Sequence, residues 1–134
     1  MAALSKTARE HLESAGKTVV LSTADASGRS TIAIFGSASV ADDSTVKLLL
    51  GDNRTSANLR ENPRASMLVI RQGTSGMQTQ GCRLYLAATR FETDGAEFDA
   101  MKEAIRARAG KAAEMLRSLV TFEVTEERPV VEMN

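Results

Sequence analysis

The chain has 134 residues, 43% of them hydrophobic, which suits one ordinary domain with its own core. Seventeen basic side chains balance seventeen acidic ones, and four Phe, one Tyr and no Trp give no stacking platform, so composition argues against nucleic acid and anionic membrane surfaces as partners. One cysteine (Cys82) and one histidine (His11) leave almost no material for a disulfide framework, a zinc cluster or a Ser–His triad, so any chemistry is expected to come from a cofactor.

In chain order, Leu4, Ala8, His11, Leu12 and Ala15 form one stripe and predict a helix over residues 3–15, closed by Gly16. This polar-faced start does not read as a signal peptide, and no apolar run approaches a membrane span, so the expected setting is cytoplasmic. Residues 17–25 predict a strand, 25–28 a turn, and 29–41 a second strand bulged at Gly36. After a turn at 41–44, "TVKLLL" (45–50) predicts a third strand. Asp52 or Asn53 is positioned to cap a helix running to about Arg60, which Asn62 and Pro63 stop. Residues 64–71 predict a fourth strand, 72–81 a long Gly/Ser/Thr/Gln loop, and 82–92 a fifth strand. Asp94 with Glu97 has the spacing of a capping box, with Phe98, Met101 and Ile105 giving the helix a face; Gly110 breaks it and 111–118 resumes it. In the last strand, 119–127, Val120, Phe122 and Val124 share a face, and Pro129 ends it. The expected fold is one domain over 1–134, mainly β with flanking helices: six antiparallel strands closed, or nearly closed, into a small barrel.

The stretch "GDNRTSANLRENP" (51–63) places a cation and two hydroxyls at a helix start. Free backbone N–H groups and the helix dipole favour an anion there, with Arg54, Thr55 and Ser56 adding donors; on the local signal alone, plain N-capping is the commoner reason for hydroxyls at a helix start. Phe35 reads either as a wall for a flat ligand or as core, and Asn58 either as a ligand contact or as a local hydrogen-bonding residue. Tyr85 reads as packed, Cys82 as a buried filler, and Arg106 and Arg108 as a solvated face.

Three blocks in order, "VVLSTADASGRSTIAIFGSASV", "NRTSANLRENPRAS" and "GCRLYLAATRFETDGAEFDAM", resemble the FMN-binding split-barrel family, whose best-known enzyme is pyridoxamine-phosphate oxidase. The likeness runs from about Lys17 to Val131 and is strongest to the small bacterial FMN-binding proteins, which are single-domain homodimers. The resemblance implies a six-stranded split β-barrel (barrel about 17–131) with FMN at a dimer interface. It implies a flavin phosphate held by Arg54 and Thr55 with Ser56, Asn58 and Gly51 close by, and a ring lying along Ile32, Ala33, Ile34 and Phe35. Ala33 and Ile34 stand where the small FMN-binding proteins carry polar side chains, so ring recognition there falls to backbone groups. It implies a redox or electron-transfer flavoprotein. No catalytic side chain and no metal site is assigned, and substrate and redox partner stay open. The alternative is a non-catalytic module on the same barrel, its site empty or holding another planar ligand, F420 or haem.

Overall fold

The computed structural model describes residues 3–132. Its first helix, α1 (Lys6–Glu13), is capped by Ser5, whose hydroxyl accepts from the Ala8 N–H at 3.0 Å. The same Ser5 donates its N–H and O–H to the Glu127 carboxylate at 2.9 and 2.7 Å, which ties the helix start to the far end of the chain. Of the predicted stripe, Ala8, His11 and Leu12 are buried on α1, while Leu4 precedes the helix and Ala15 lies beyond it, exposed, because the helix spans Lys6–Glu13 and not 3–15.

Seven strands follow: β1 (Thr18–Ala24), β2 (Ser30–Ile34), β3 (Ser39–Asp42), β4 (Thr45–Gly51), β5 (Arg64–Ile70), β6 (Gly81–Glu92) and β7 (Leu116–Pro129). They form one antiparallel sheet in the order β2-β1-β5-β6-β7-β4-β3. Helix α2 (Arg54–Glu61) links β4 to β5, and α3 (Ala96–Ala109) links β6 to β7.

The sequence predicts six strands in a closed or nearly closed barrel; the molecule has seven, and the hydrogen-bonded ladder does not close. The difference lies in 29–41. Instead of one bulged strand, this segment leaves β1 after Phe35, whose N–H donates to Val19 O at 2.9 Å, and re-enters at the opposite edge of the sheet as β3 on β4. Between the two edges Ser37 does the work of a ladder. Its hydroxyl donates to Leu49 O at 2.9 Å and accepts the Leu49 N–H at 3.0 Å, pinning the crossing to β4.

Alternation builds the interior. One face of each long strand, including Leu21 of β1, Met67 and Val69 of β5, Leu84 and Leu86 of β6, Phe122 and Val124 of β7 and Leu48 and Leu50 of β4, converges on one core with Leu12 of α1 and Leu59 of α2. Phe122 is fully buried there, and its truncation to Ala would cost about 3–5 kcal/mol. A second, smaller cluster on the other side joins Leu49 and Leu119 to Phe98, with Met101, Ile105 and Leu116 packed around them, and so docks α3 outside β4 and β7. Gly81 is required where it stands: a Cβ there would lie 1.8 Å from Val69 O.

Two further expectations need correction. Asp94 and Glu97 do not form a capping box. Gly95 is the residue before α3, with φ of 104°, and no side chain caps the helix. Glu97 instead pairs with Lys47, an ion pair that anchors α3 to β4. Residues 111–118 do not resume the helix: Gly110, at φ 59°, ends it, a 3-10 segment spans Gly110–Met115, and β7 already begins at Leu116. The tighter turn brings Ala113 into full burial beneath it.

Candidate functional site

Helix α2 begins as the sequence suggests. Asn53 is the cap, with extended backbone, and its Oδ1 accepts the Ser56 N–H at 2.9 Å. The Ala57 N–H reaches back to Asn53 O at 3.0 Å. The backbone N–H groups of Arg54 and Thr55 have no acceptor among the described residues, as helix geometry requires of the first turn. The Arg54 side chain is exposed and takes part in no ion pair or hydrogen bond among the described residues. Thr55, Ser56 and Asn58 face inward and are buried. Asn58 donates from Nδ2 to Thr23 Oγ1 at 3.1 Å, so its amide fixes α2 against β1. At the other end of α2, Glu61 accepts the Ala26 N–H at 3.1 Å, and the Arg60 guanidinium lies 5.0 Å from the Phe91 ring centroid. The helix is therefore held against β1 and the 25–28 turn, while the Arg54 and Thr55 N–H groups keep no acceptor among the described residues.

Next to the first turn of α2 lies an apolar cleft of about 480 Å³, within the range of small-molecule sites. One wall is Ile34, Phe35, Gly36 and Ser37 on the crossing from β2 to β3. A second is Leu49, Gly51, Asp52 and Asn53, where β4 runs into α2. The third comes from α3 and the 3-10 segment: Ile105, Arg108, Ala109, Ala112, Met115 and Leu116. Gly51 is needed for close packing, since a Cβ there would stand 3.0 Å from Met115 O. Phe35 serves both alternatives read from the sequence: it packs against the core and lines the cleft.

The structure thus joins Ile34, Phe35 and Gly51 in one cavity, with Asp52 and Asn53 leading on to Arg54. Arg54, Thr55, Ser56 and Asn58 themselves are not lining residues of that cleft, and neither are Ile32 and Ala33. The four strand positions do not share a face. Ile32 and Ile34 point outward, 69% and 71% exposed, while Ala33 and Phe35 point to the other side, as strand alternation demands. Sequence reasoning missed the entire third wall. Ile105 reads as part of a helix face, but nothing in the pattern shows that α3 packs beside β4.

The remaining candidates lie elsewhere. His11 and Cys82 line a separate small cavity with Glu127 and Arg128. The His11 Nδ1 is 3.3 Å from Arg71 Nη1, and burial, reinforced by Arg71, lowers its pKa. Burial pushes the Cys82 thiol up to about 12, so it is a filler and not a nucleophile. The 72–81 loop is an ordered turn around Thr74, which donates to Arg71 O at 2.8 Å and accepts the Gln80 N–H at 3.1 Å; it does not line the cleft. Among the described residues no group of His, Cys, Asp and Glu could hold a metal ion, and no helix is long and apolar enough to cross a membrane.

The antiparallel sheet split at a crossing strand, with an apolar cleft beside a capped short helix, defines the class as a split barrel. The sequence matches the pyridoxamine 5'-phosphate oxidase family over residues 4–131, and the chain belongs to that family. No curated protein matches it. Among solved structures, an FMN-binding protein from Syntrophomonas wolfei subsp. wolfei is similar with a TM-score of 0.84 and 22% identity, covering 96% of this chain and 87% of that one. An F420 reductase is similar at 0.68 and 15% identity, covering 89% and 94%. The haem storage protein of Vibrio cholerae is similar at 0.67 and 19% identity, covering 96% and 95%. At these identities the three establish a shared fold.

Proposed function

We propose that the chain is an FMN-binding redox protein that works as a homodimer, with the flavin between two copies. One observation carries this reading: Gly51, Asp52 and Asn53, which lead into the open first turn of α2, form one wall of the same cleft whose opposite wall is Ile34 and Phe35. An anion-seeking helix start and a flat apolar wall, 16 residues apart in sequence at their nearest (Phe35 to Gly51), adjoin in space.

The residues present fit the group. The unsatisfied N–H groups of Arg54 and Thr55 and the unpaired Arg54 guanidinium would hold the phosphate, with Ser56 and Asn58 shaping the turn from beneath. Ile32 to Phe35 would flank the ring. When bound, FMN supplies one- or two-electron redox chemistry, and the chain supplies binding, orientation and exclusion of water. Of the residues lining the cleft, only Asp52 and Arg108 are charged, and neither is buried. Electron transfer therefore fits better than a step needing a tuned side-chain acid or base. Oxidation of pyridoxamine phosphate is not assigned to it.

An exposed apolar strip supports the proposed dimer. Ile34, Val20 and Leu68 are neighbours across β2, β1 and β5 on the outer face, with Ile32 beside Ile34 on an edge strand. Such an edge is a liability unless something covers it, and a second copy would do so next to the cleft. A cytoplasmic setting belongs to the same proposal.

The second reading is a binding module for another planar ligand. The apolar Ala33, Ile34 and Phe35 favour it, since none offers a side-chain hydrogen bond to a flavin ring. F420 is the first alternative occupant. Haem is weaker, because His11 lies in a different cavity. Incubation of the purified chain with FMN, F420 or haemin, then gel filtration and a spectrum, decides between them. Retained FMN absorbance in a particle of twice 14.4 kDa is expected. A chain that lets FMN go and keeps F420 or haem would overturn the flavin reading.

A further inference from the structure

Lys17 and Arg108 are distant in sequence, one just before β1 and the other in the last turn of α3. They nevertheless line the same two cavities, about 210 and 480 Å³, that open beside Gly36, and Arg108 also lines the apolar cleft beside α2. The geometry points to a second anion site: Lys17 and Arg108 together bind the carboxylate or phosphate of a small molecule whose apolar body reaches into the cleft past Phe35. That this molecule is the flavin's redox partner rests on the flavin reading; the anion site does not.

Three observations support it. First, neither cation has a hydrogen bond or ion pair among the described residues. Arg106, by contrast, is paired with Glu103 and Glu114, and Lys47 with Glu97. Second, the one carboxylate lining either cavity, Glu13, is already held by Arg9 Nε at 3.0 Å. Third, Lys17 is half-buried and shares both cavities with Arg108. Burial, and then the Arg108 charge, lower its pKa, and neither cation has an ion-pair partner among the described residues. An oxyanion between them relieves their mutual repulsion. Arg108 offers a planar fork and Lys17 a point charge, a combination that suits phosphate and carboxylate alike. Met101 and Ile105 form apolar surface beside the pair, fitting a ligand that carries its charge at one end.

The test is a set of thermal melts of the full chain in sodium phosphate, and separately in sodium succinate, against sodium chloride at equal ionic strength, with and without saturating FMN. Phosphate at ten times its Kd is expected to raise the wild-type Tm by roughly 3–5 °C. The rise should persist with FMN bound and in Arg54→Ala, and should vanish when Lys17→Gln and Arg108→Gln are added to Arg54→Ala, changes that do not lower the Tm in chloride. Should the combined variant misfold, Arg108→Gln alone, at an exposed position, must weaken phosphate binding at least several-fold by calorimetry. A wild-type chain that does not respond to either anion, or a response unchanged in these variants, overturns the site. Loss of the response once FMN binds also overturns it, because the pair would then be holding the flavin's own phosphate. A chain that binds no FMN yet keeps the response sinks the flavin reading and leaves the anion site standing.

Discussion

Replacing Arg54 by Ala separates binding from folding more cleanly than any other change in this chain. The side chain is exposed and has no partner among the described residues, so its removal should shift folding stability by no more than about 0.5 kcal/mol. If it grips a phosphate, a charge-assisted hydrogen bond of about 1.5–3 kcal/mol is lost, which weakens FMN by about 10- to 150-fold. Riboflavin has the same ring and no phosphate. The assay is therefore fluorescence titration of wild type and Arg54→Ala with FMN and with riboflavin, alongside urea unfolding of both proteins. The expected pattern is a large loss for FMN, little change for riboflavin and superimposable unfolding curves. Equal losses for the two flavins, or no loss for either, would show that the phosphate sits elsewhere and refute the assignment of the α2 turn.

Other outcomes are expected of the same molecule. Ile34→Glu, on the exposed outer face of β2, should leave monomer stability nearly unchanged and raise the dimer Kd about tenfold or more, seen by light scattering as a shift toward 14.4 kDa; an unaltered mass would place the interface elsewhere. His11 is neutral in its buried position, its pKa lowered first by burial and then by Arg71. As pH falls the unfolded chain takes up that proton before the native one does, so His11 contributes stability that is full above about pH 6.5 and is lost as pH drops through the lower native value. The urea midpoint should accordingly fall between pH 7.5 and 5.5, and His11→Gln should flatten the slope; an undiminished slope would exclude the imidazole as its source. Cys82, with its thiol near pKa 12, should resist a thiol reagent at pH 8 in the native chain and react fully once unfolded in urea. Rapid native labelling would contradict its burial in the core.

Much of the molecule is written locally. Period-3.6 and period-2 patterns gave α1, the long strands and the Val120–Phe122–Val124 core face, because burial of one stripe or face is a property that neighbouring residues share. The turn chemistry of Asp25 was equally legible: its carboxylate accepts from the Ser27 N–H and O–H and from the Arg29 N–H, and these bonds lower its pKa. So was the cap of α2, since Asn53 needs only the N–H three residues on.

What only the tertiary structure decided are the places where a distant partner wins over the local pattern. Residues 29–41 have the composition of a single strand, yet they split, because Ser37 finds Leu49 on the far side of the sheet. Glu97 has the spacing of a capping box, yet it turns to Lys47. The cleft belongs to this second kind. Its three walls come from β2, the end of β4 and the end of α3, and each is an unremarkable apolar or turn segment until the sheet curls and brings them together. The sequence by itself determined the elements, their caps and an anion-ready helix start; the curl of the sheet decided what that start faces, because concavity is a relation between segments and no single segment encodes it.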